Sequence, residues 1–124
     1  MTYDKNNIFA RIIRGELQSK KVYEDDIVFA MHDANPAAPI HILVLPKGEY
    51  ESFDDFAINA PSEFKDHFFK KTREIAHSLG LAESGYRLIA NHGSDANQTV
   101  KHFHVHILGK KHLGALVAGD AHHK

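Results

Sequence analysis

The residues with the most evident chemistry are the three histidines of His102-Phe103-His104-Val105-His106-Ile107-Leu108-Gly109. They alternate with apolar residues, and alternation with period two is the pattern of a strand. The pattern puts His102, His104 and His106 on one face and Phe103, Val105 and Ile107 on the other. Alternate side chains on a strand stand roughly 7 Å apart, so a row of three imidazoles is expected. Neutral imidazole is a nucleophile, a metal ligand and a proton carrier near neutral pH. Three readings follow: hydrogen-bonded histidines with a packing role, a metal site, or nucleophilic catalysis at phosphorus. A metal site needs a further ligand. Asp33, Asp95 and Asp120 are available, but no spacing selects one.

The preceding loop favours catalysis at phosphorus. Asn91-His92-Gly93-Ser94-Asp95-Ala96-Asn97-Gln98-Thr99 runs directly into the histidines. A turn of this composition aims backbone N–H groups and a hydroxyl at an anion. A covalent phospho-histidine step needs no metal if such fixed donors stabilise the phosphoryl oxygens, and no cofactor is expected.

The elements that must position these residues are legible in outline. Asn6 or Asn7 caps a short helix carrying Ile8, Phe9, Ile12 and Ile13, which Gly15 stops. Val22–Glu24 and Ile27–Met31 read as a hairpin turning at Asp25-Asp26. The segment 32–39 is a loop, because Pro36 and Pro39 forbid regular structure. Ile40–Leu45 is a buried strand ending at Pro46, with His41 its one polar member, on the face of Leu43 and Leu45. Residues 47–59 read mostly as connecting chain. Pro61 opens a long helix whose inward stripe is Phe64, Phe68, Thr72, Ile75 and Leu79, with Asp66 and Lys70 paired outside and Gly80 ending it. Tyr86–Ala90 is a further strand. The predicted class is α+β: five mostly antiparallel strands with one long and one short helix.

The bounds agree with one domain. The chain has 124 residues, a net charge of −1, eleven histidines and no cysteine. That length suggests a single domain over 1–124, with 1–5 and 119–124 expected to be loosely held. Balanced charge gives no case for nucleic acid. Disulfides and thiolate metal sites are excluded, and no apolar run reaches the ~20 residues of a membrane span. A cytoplasmic protein is the expectation. His122-His123 is either native or a remnant of a tag.

Together these residues resemble the histidine-triad (HIT) family, whose motif is His-φ-His-φ-His-φ-φ with φ apolar. Ile8–Glu16, Tyr23–Asp26, His32-Asp33, Pro36–His41, Leu45–Lys47, Gly85–Arg87 and Gly93–Asp95 resemble the HINT branch of nucleotide-binding phosphoramidases. The resemblance implies a five-stranded antiparallel sheet that pairs in a homodimer into a ten-stranded sheet. It implies hydrolysis of purine nucleoside 5′-phosphoramidates through a nucleotidyl-histidine. His104 would be the nucleophile, His106 would hold the phosphate, His102 would order the site and His41 would support it from a neighbouring strand. Asp33 would hold the ribose, with His32, Ala34, Asn91, Ile8 and Phe9 also in the nucleotide site. Asn97, Gln98 and Thr99 match the phosphate loop, and Thr99 could relay a proton to the leaving amine. Thr99 stands where this branch more usually has serine, and Met31 and Ala34 replace larger base-pocket residues. The Trp-Pro-Pro ending is lacking. Gln98–His102 also resembles the dinucleoside-polyphosphate hydrolase branch, and a non-catalytic nucleotide-binding module is the remaining alternative.

Overall fold

The computed structural model describes residues 2–120. The elements in chain order are α1 (Ile8–Ile13), β1 (Lys21–Glu24), β2 (Val28–His32), β3 (Ile40–Pro46), α2 (Phe53–Asn59), α3 (Ser62–Ser78), β4 (Tyr86–Ile89) and β5 (Val105–Gly109). The strands form one sheet in the order β1-β2-β3-β5-β4, and every neighbouring pair is antiparallel. No helix among the described residues is long and apolar enough to cross a membrane. His122-His123 lies outside the described residues.

Each face of the sheet has its own cover. Val28, Ala30, Ile42, Val44, Val105 and Ile107 face α2 and α3, where they pack with Phe56, Phe68 and Ile75. Phe29, Met31, Leu43 and Leu45 face the other way, against Phe9 of α1. Strand alternation makes both faces apolar in the central strands, which explains the near-continuous run of β3. Asn7 caps α1 by accepting from the Ala10 N–H at 2.9 Å, and Gly15 leaves the helix at φ +82°.

Among the described residues three helices are present where two were expected. α2 lies in the segment read as connecting chain. Ser52 is its N-cap, Asp54 and Asp55 occupy its first turn, and the Asp55 carboxylate accepts from the Glu51 N–H at 2.8 Å. This is a variant of the capping box, and buried Phe56 anchors the helix against Phe103, rings stacked at 4.7 Å. Pro61 is the N-cap of α3 and so precedes its first turn.

A second correction concerns the histidines themselves. β5 begins at Val105, so His102 and His104 lie outside the ladder. The β3–β5 pairing ends at Val44↔Val105. Continued by register, it would set Phe103 opposite Pro46, which has no N–H to donate. The Phe103 N–H instead donates to the Tyr50 carbonyl at 2.7 Å.

Candidate active site

Topology brings four of the sequence-selected side chains together on the α1 face of the sheet. β3 and β5 pair with His41 opposite Leu108 and Leu43 opposite His106. His41 and His106 are therefore diagonal cross-strand neighbours on one face. Asp33 joins them because the loop after β2 closes on itself, the Asp33 N–H donating to the His41 carbonyl at 2.9 Å. His104 precedes β5, 5.2 Å from His106 between ring centroids, with the edge of Phe9 packed against it at 4.9 Å.

The hydrogen-bond partners assign the tautomer of each imidazole. His41 Nδ1 accepts from the Ala37 N–H at 2.9 Å, so its proton sits on Nε2. That Nε2–H donates to His106 Nδ1 at 2.9 Å, with an Asp33 carboxylate oxygen 3.4 Å away. His106 then carries its own proton on Nε2. The His104 Nδ1–H donates to the His102 carbonyl at 2.7 Å, which leaves the lone pair on His104 Nε2. The His102 Nε2–H donates to the Pro46 carbonyl at 2.9 Å, and its Nδ1 accepts from the Tyr3 hydroxyl at 2.5 Å. Side by side, then, stand an imidazole lone pair on His104 and an imidazole N–H donor on His106.

Burial favours the neutral form of His102, His104 and His106. It lowers His102 to about 4, against a weaker opposing effect of the Pro46 carbonyl. It also lowers His104, where the His102 carbonyl and the Asp33 charge oppose the shift. His106 falls to about 4 through burial, with His104 and His41 adding to the effect. A neutral imidazole with a depressed pKa is the form that attacks an electrophile.

The donor atoms of Asp33, His41 and His106 all lie within 4.8 Å of one another, close enough to converge on an ion. Their bonding does not suit one. A metal on His41 Nε2 would displace its proton while Nδ1 still accepts from Ala37, leaving an imidazolate. The proton between His41 and His106 already occupies the space a ligand bond would need.

Beside this cluster opens a cavity of about 770 Å³ with His41 in its wall. Its lining includes the predicted Ile8, Phe9, His32, Asp33 and Ala34, together with Met31 and Leu43. The volume lies within the ~300–1,000 Å³ of small-molecule sites. Gln18, Ser19 and Lys20 also line it and were not foreseen; they lie between α1 and β1, where no local pattern marks them. Tyr3 was likewise missed, because its partner is 99 positions away.

The loop residues are placed differently. The Gln98 amide donates to the carbonyls of Glu51 (2.7 Å) and Val100 (3.1 Å), and its oxygen accepts from the Gly93 N–H at 3.0 Å. Both amide protons are thus engaged, so Gln98 shapes the loop. Asn97 is exposed at φ +61°, a conformation asparagine tolerates better than most residues. Thr99 is exposed and Asn91 half-buried. The polar loop walls a separate recess shared with Glu51, Asp55 and Lys101.

Comparison with known proteins agrees with this geometry. Residues 14–113 match the family model described as the HIT domain. The chain is 48% identical over 116 residues to a HIT-like protein of Azospirillum brasilense, covering 94% of this chain and 95% of the relative. It is 38% identical over 114 residues to the purine nucleoside phosphoramidase of Escherichia coli K12, covering 92% and 95%. Among solved structures, a histidine triad protein from Clostridium difficile superposes with a TM-score of 0.81 at 44% identity, covering 92% and 98%. A HIT family hydrolase from Legionella pneumophila superposes at 0.83 with 34% identity, covering 88% and 96%. The chain belongs to the HIT family.

Proposed function

We propose that the protein hydrolyses purine nucleoside 5′-phosphoramidates, with His104 as covalent nucleophile. The observation that carries this reading is the hydrogen bond from His104 Nδ1–H to the His102 carbonyl. It leaves the lone pair on His104 Nε2, and the His104 ring packs on Phe9, which lines the cavity of about 770 Å³. The name of the Escherichia coli relative supports the substrate class.

In the first step His104 Nε2 attacks the α-phosphorus, and the P–N bond to the leaving amine breaks. The amine departs with its electron pair and takes up a proton, for which Thr99 is the candidate relay. The His106 Nε2–H donates to a non-bridging oxygen and stabilises the charge that builds there. In the second step water attacks the same phosphorus and releases a proton to solvent, which balances the one the amine took up; the P–N bond to His104 breaks, and the nucleoside monophosphate leaves. Asp33 accepts from the ribose hydroxyls, and the cavity takes the base between apolar walls that include Phe9 and Met31.

The test compares adenosine phosphoramidate with a diadenosine polyphosphate as substrates, for wild type and His104→Ala. Turnover of the phosphoramidate should dominate. His104→Ala should lose roughly 10⁴-fold or more, the scale of a deleted covalent nucleophile, while still binding AMP. Near-wild-type turnover in that variant would refute the assignment, and preference for the diadenosine compound would move the protein to the other branch.

The same reading includes a homodimer built edge to edge into a ten-stranded sheet. β1 and β4 are the outer strands. β1 is guarded by charge, with Lys21 and Lys47 both on Glu24, whereas β4 presents Leu88 half exposed. Pairing therefore falls to β4. Sedimentation at micromolar concentration should give twice the 13.9 kDa chain mass; a monomer alone would refute it.

A further inference from the structure

The His102 imidazole does no chemistry in the mechanism above, yet it is 1% exposed and bonded at both nitrogens. Its anchors come from distant parts of the chain. One is the Pro46 carbonyl at the end of β3. The other is Tyr3, in a segment without regular structure ahead of α1. The Tyr3 ring also meets the His102 ring edge-on, with centroids 5.8 Å apart and planes at 70°.

What His102 contributes to the reacting group is its backbone. The carbonyl of the His102–Phe103 peptide accepts from His104 Nδ1–H, and the N–H of the same peptide donates to Tyr50. The orientation of that one peptide plane decides which His104 nitrogen keeps the lone pair. No ladder bond holds the plane, because β5 begins only at Val105. It is held by Tyr50 from one side and by the locked His102 side chain from the other.

The segment that delivers Tyr3 is itself tied down. Asp4 accepts from Asn7 through its carbonyl and from the Asn6 N–H through its side chain. The Arg14 guanidinium donates to the Lys5 carbonyl at 2.6 Å. Burial raises the Tyr3 phenol, so the hydroxyl keeps its proton and remains a donor.

We propose that Tyr3 is a positioning residue for the hydrolysis. Its hydroxyl locks the His102 imidazole, and through the His102 carbonyl it holds the His104 ring with Nε2 turned to the substrate. The inference rests on His104 as the nucleophile. Because Tyr50 and Pro46 also hold the peptide and the ring, loss of the hydroxyl loosens the arrangement without abolishing it.

The test is Tyr3→Phe, which keeps the ring contact and removes only the hydrogen bond. Turnover number should fall roughly 5- to 20-fold, within the ~10²-fold that a small misplacement of a reacting group costs. The dissociation constant for AMP should stay within about two-fold, because no nucleotide contact is touched. Nitrogen-15 NMR of the unliganded proteins supplies the readout that a merely structural role would not move. In the wild type His104 should be a single Nδ1–H tautomer and His102 a single Nε2–H tautomer. In Tyr3→Phe His104 should become a mixture. The proposal is overturned by an unchanged turnover number, by AMP affinity falling as much as turnover, or by a His104 tautomer that the substitution leaves alone. If the wild type cleaves no phosphoramidate, the functional reading fails by itself, and the tautomer measurement still decides whether Tyr3 positions His104.

Discussion

Acidification should destabilise this protein before its carboxylates titrate, and His102 sets a size for the effect. In the folded chain His102 stays neutral down to about pH 4. In the unfolded chain it takes up a proton near the ordinary imidazole value of 6.5. Between those values the unfolded state binds more protons, so stability is complete above 6.5 and declines as pH falls towards 4. From pH 7.5 to 4.5 the difference integrates to about 2.5 kcal/mol for this one group. His104 and His106, also lowered, act in the same direction. They are partly exposed, and solvent reduces their share. Urea unfolding at the two pH values, at one fixed protein concentration, measures the loss, and carbon-13 titration of the His102 ring identifies its source. A His102 that titrates near 6.5 in the folded protein would refute the argument, as would equal stability at pH 7.5 and 4.5. Activity should report separately. His104 is lowered from 6.5, so the acid limb of kcat/KM should lie below that value, with full activity at neutral pH.

Two substitutions separate binding roles from holding roles. Asp33 Oδ1 accepts from the Asn35 N–H at 2.7 Å, so Asp33→Asn keeps a turn oxygen while losing the charge. It should lower kcat/KM roughly 10–100-fold and shrink the preference for ribo- over 2′-deoxyribonucleotides, since a charged hydrogen bond contributes ~1.5–3 kcal/mol; an unchanged preference would leave Asp33 as a turn residue only. Gln98→Ala removes three bonds that pin the loop. A net ~0.5–1.5 kcal/mol each should appear as a lower melting temperature together with a raised KM. A raised KM at unchanged melting temperature would instead mean that Gln98 touches the phosphate.

The sheet was legible because its strands are apolar runs bounded by turn residues, and α3 because its stripe recurs at helical spacing. α2 was missed: Ser52 and Asp55 cap it ahead of Phe56, but in a mixed segment its short apolar face gave no periodic signal. The alternation of the three histidines assigned their faces better than their backbone. Phe103, Val105 and Ile107 do join the α2–α3 core, yet the ladder stops at Val105. Period two describes side-chain direction, whereas strand length depends on a partner, and Pro46 in β3 cannot serve as donor.

The same limit explains which part of the site stayed hidden. Imidazoles at alternate positions announce that chemistry is present, but not which nitrogen is free to do it. That is decided by hydrogen-bond partners outside the motif: the Pro46 carbonyl, which accepts from His102, the Ala37 N–H, which donates to His41, and the Tyr3 hydroxyl, which donates to His102. Two of the three are main-chain groups, which every residue possesses and no residue type advertises. Residue types therefore name the candidate nucleophile, and the fold sets its orientation. A substitution far from the histidines in sequence, at residue 3 or in the loop around residue 37, should disturb the chemistry through that orientation more than its own side chain would suggest.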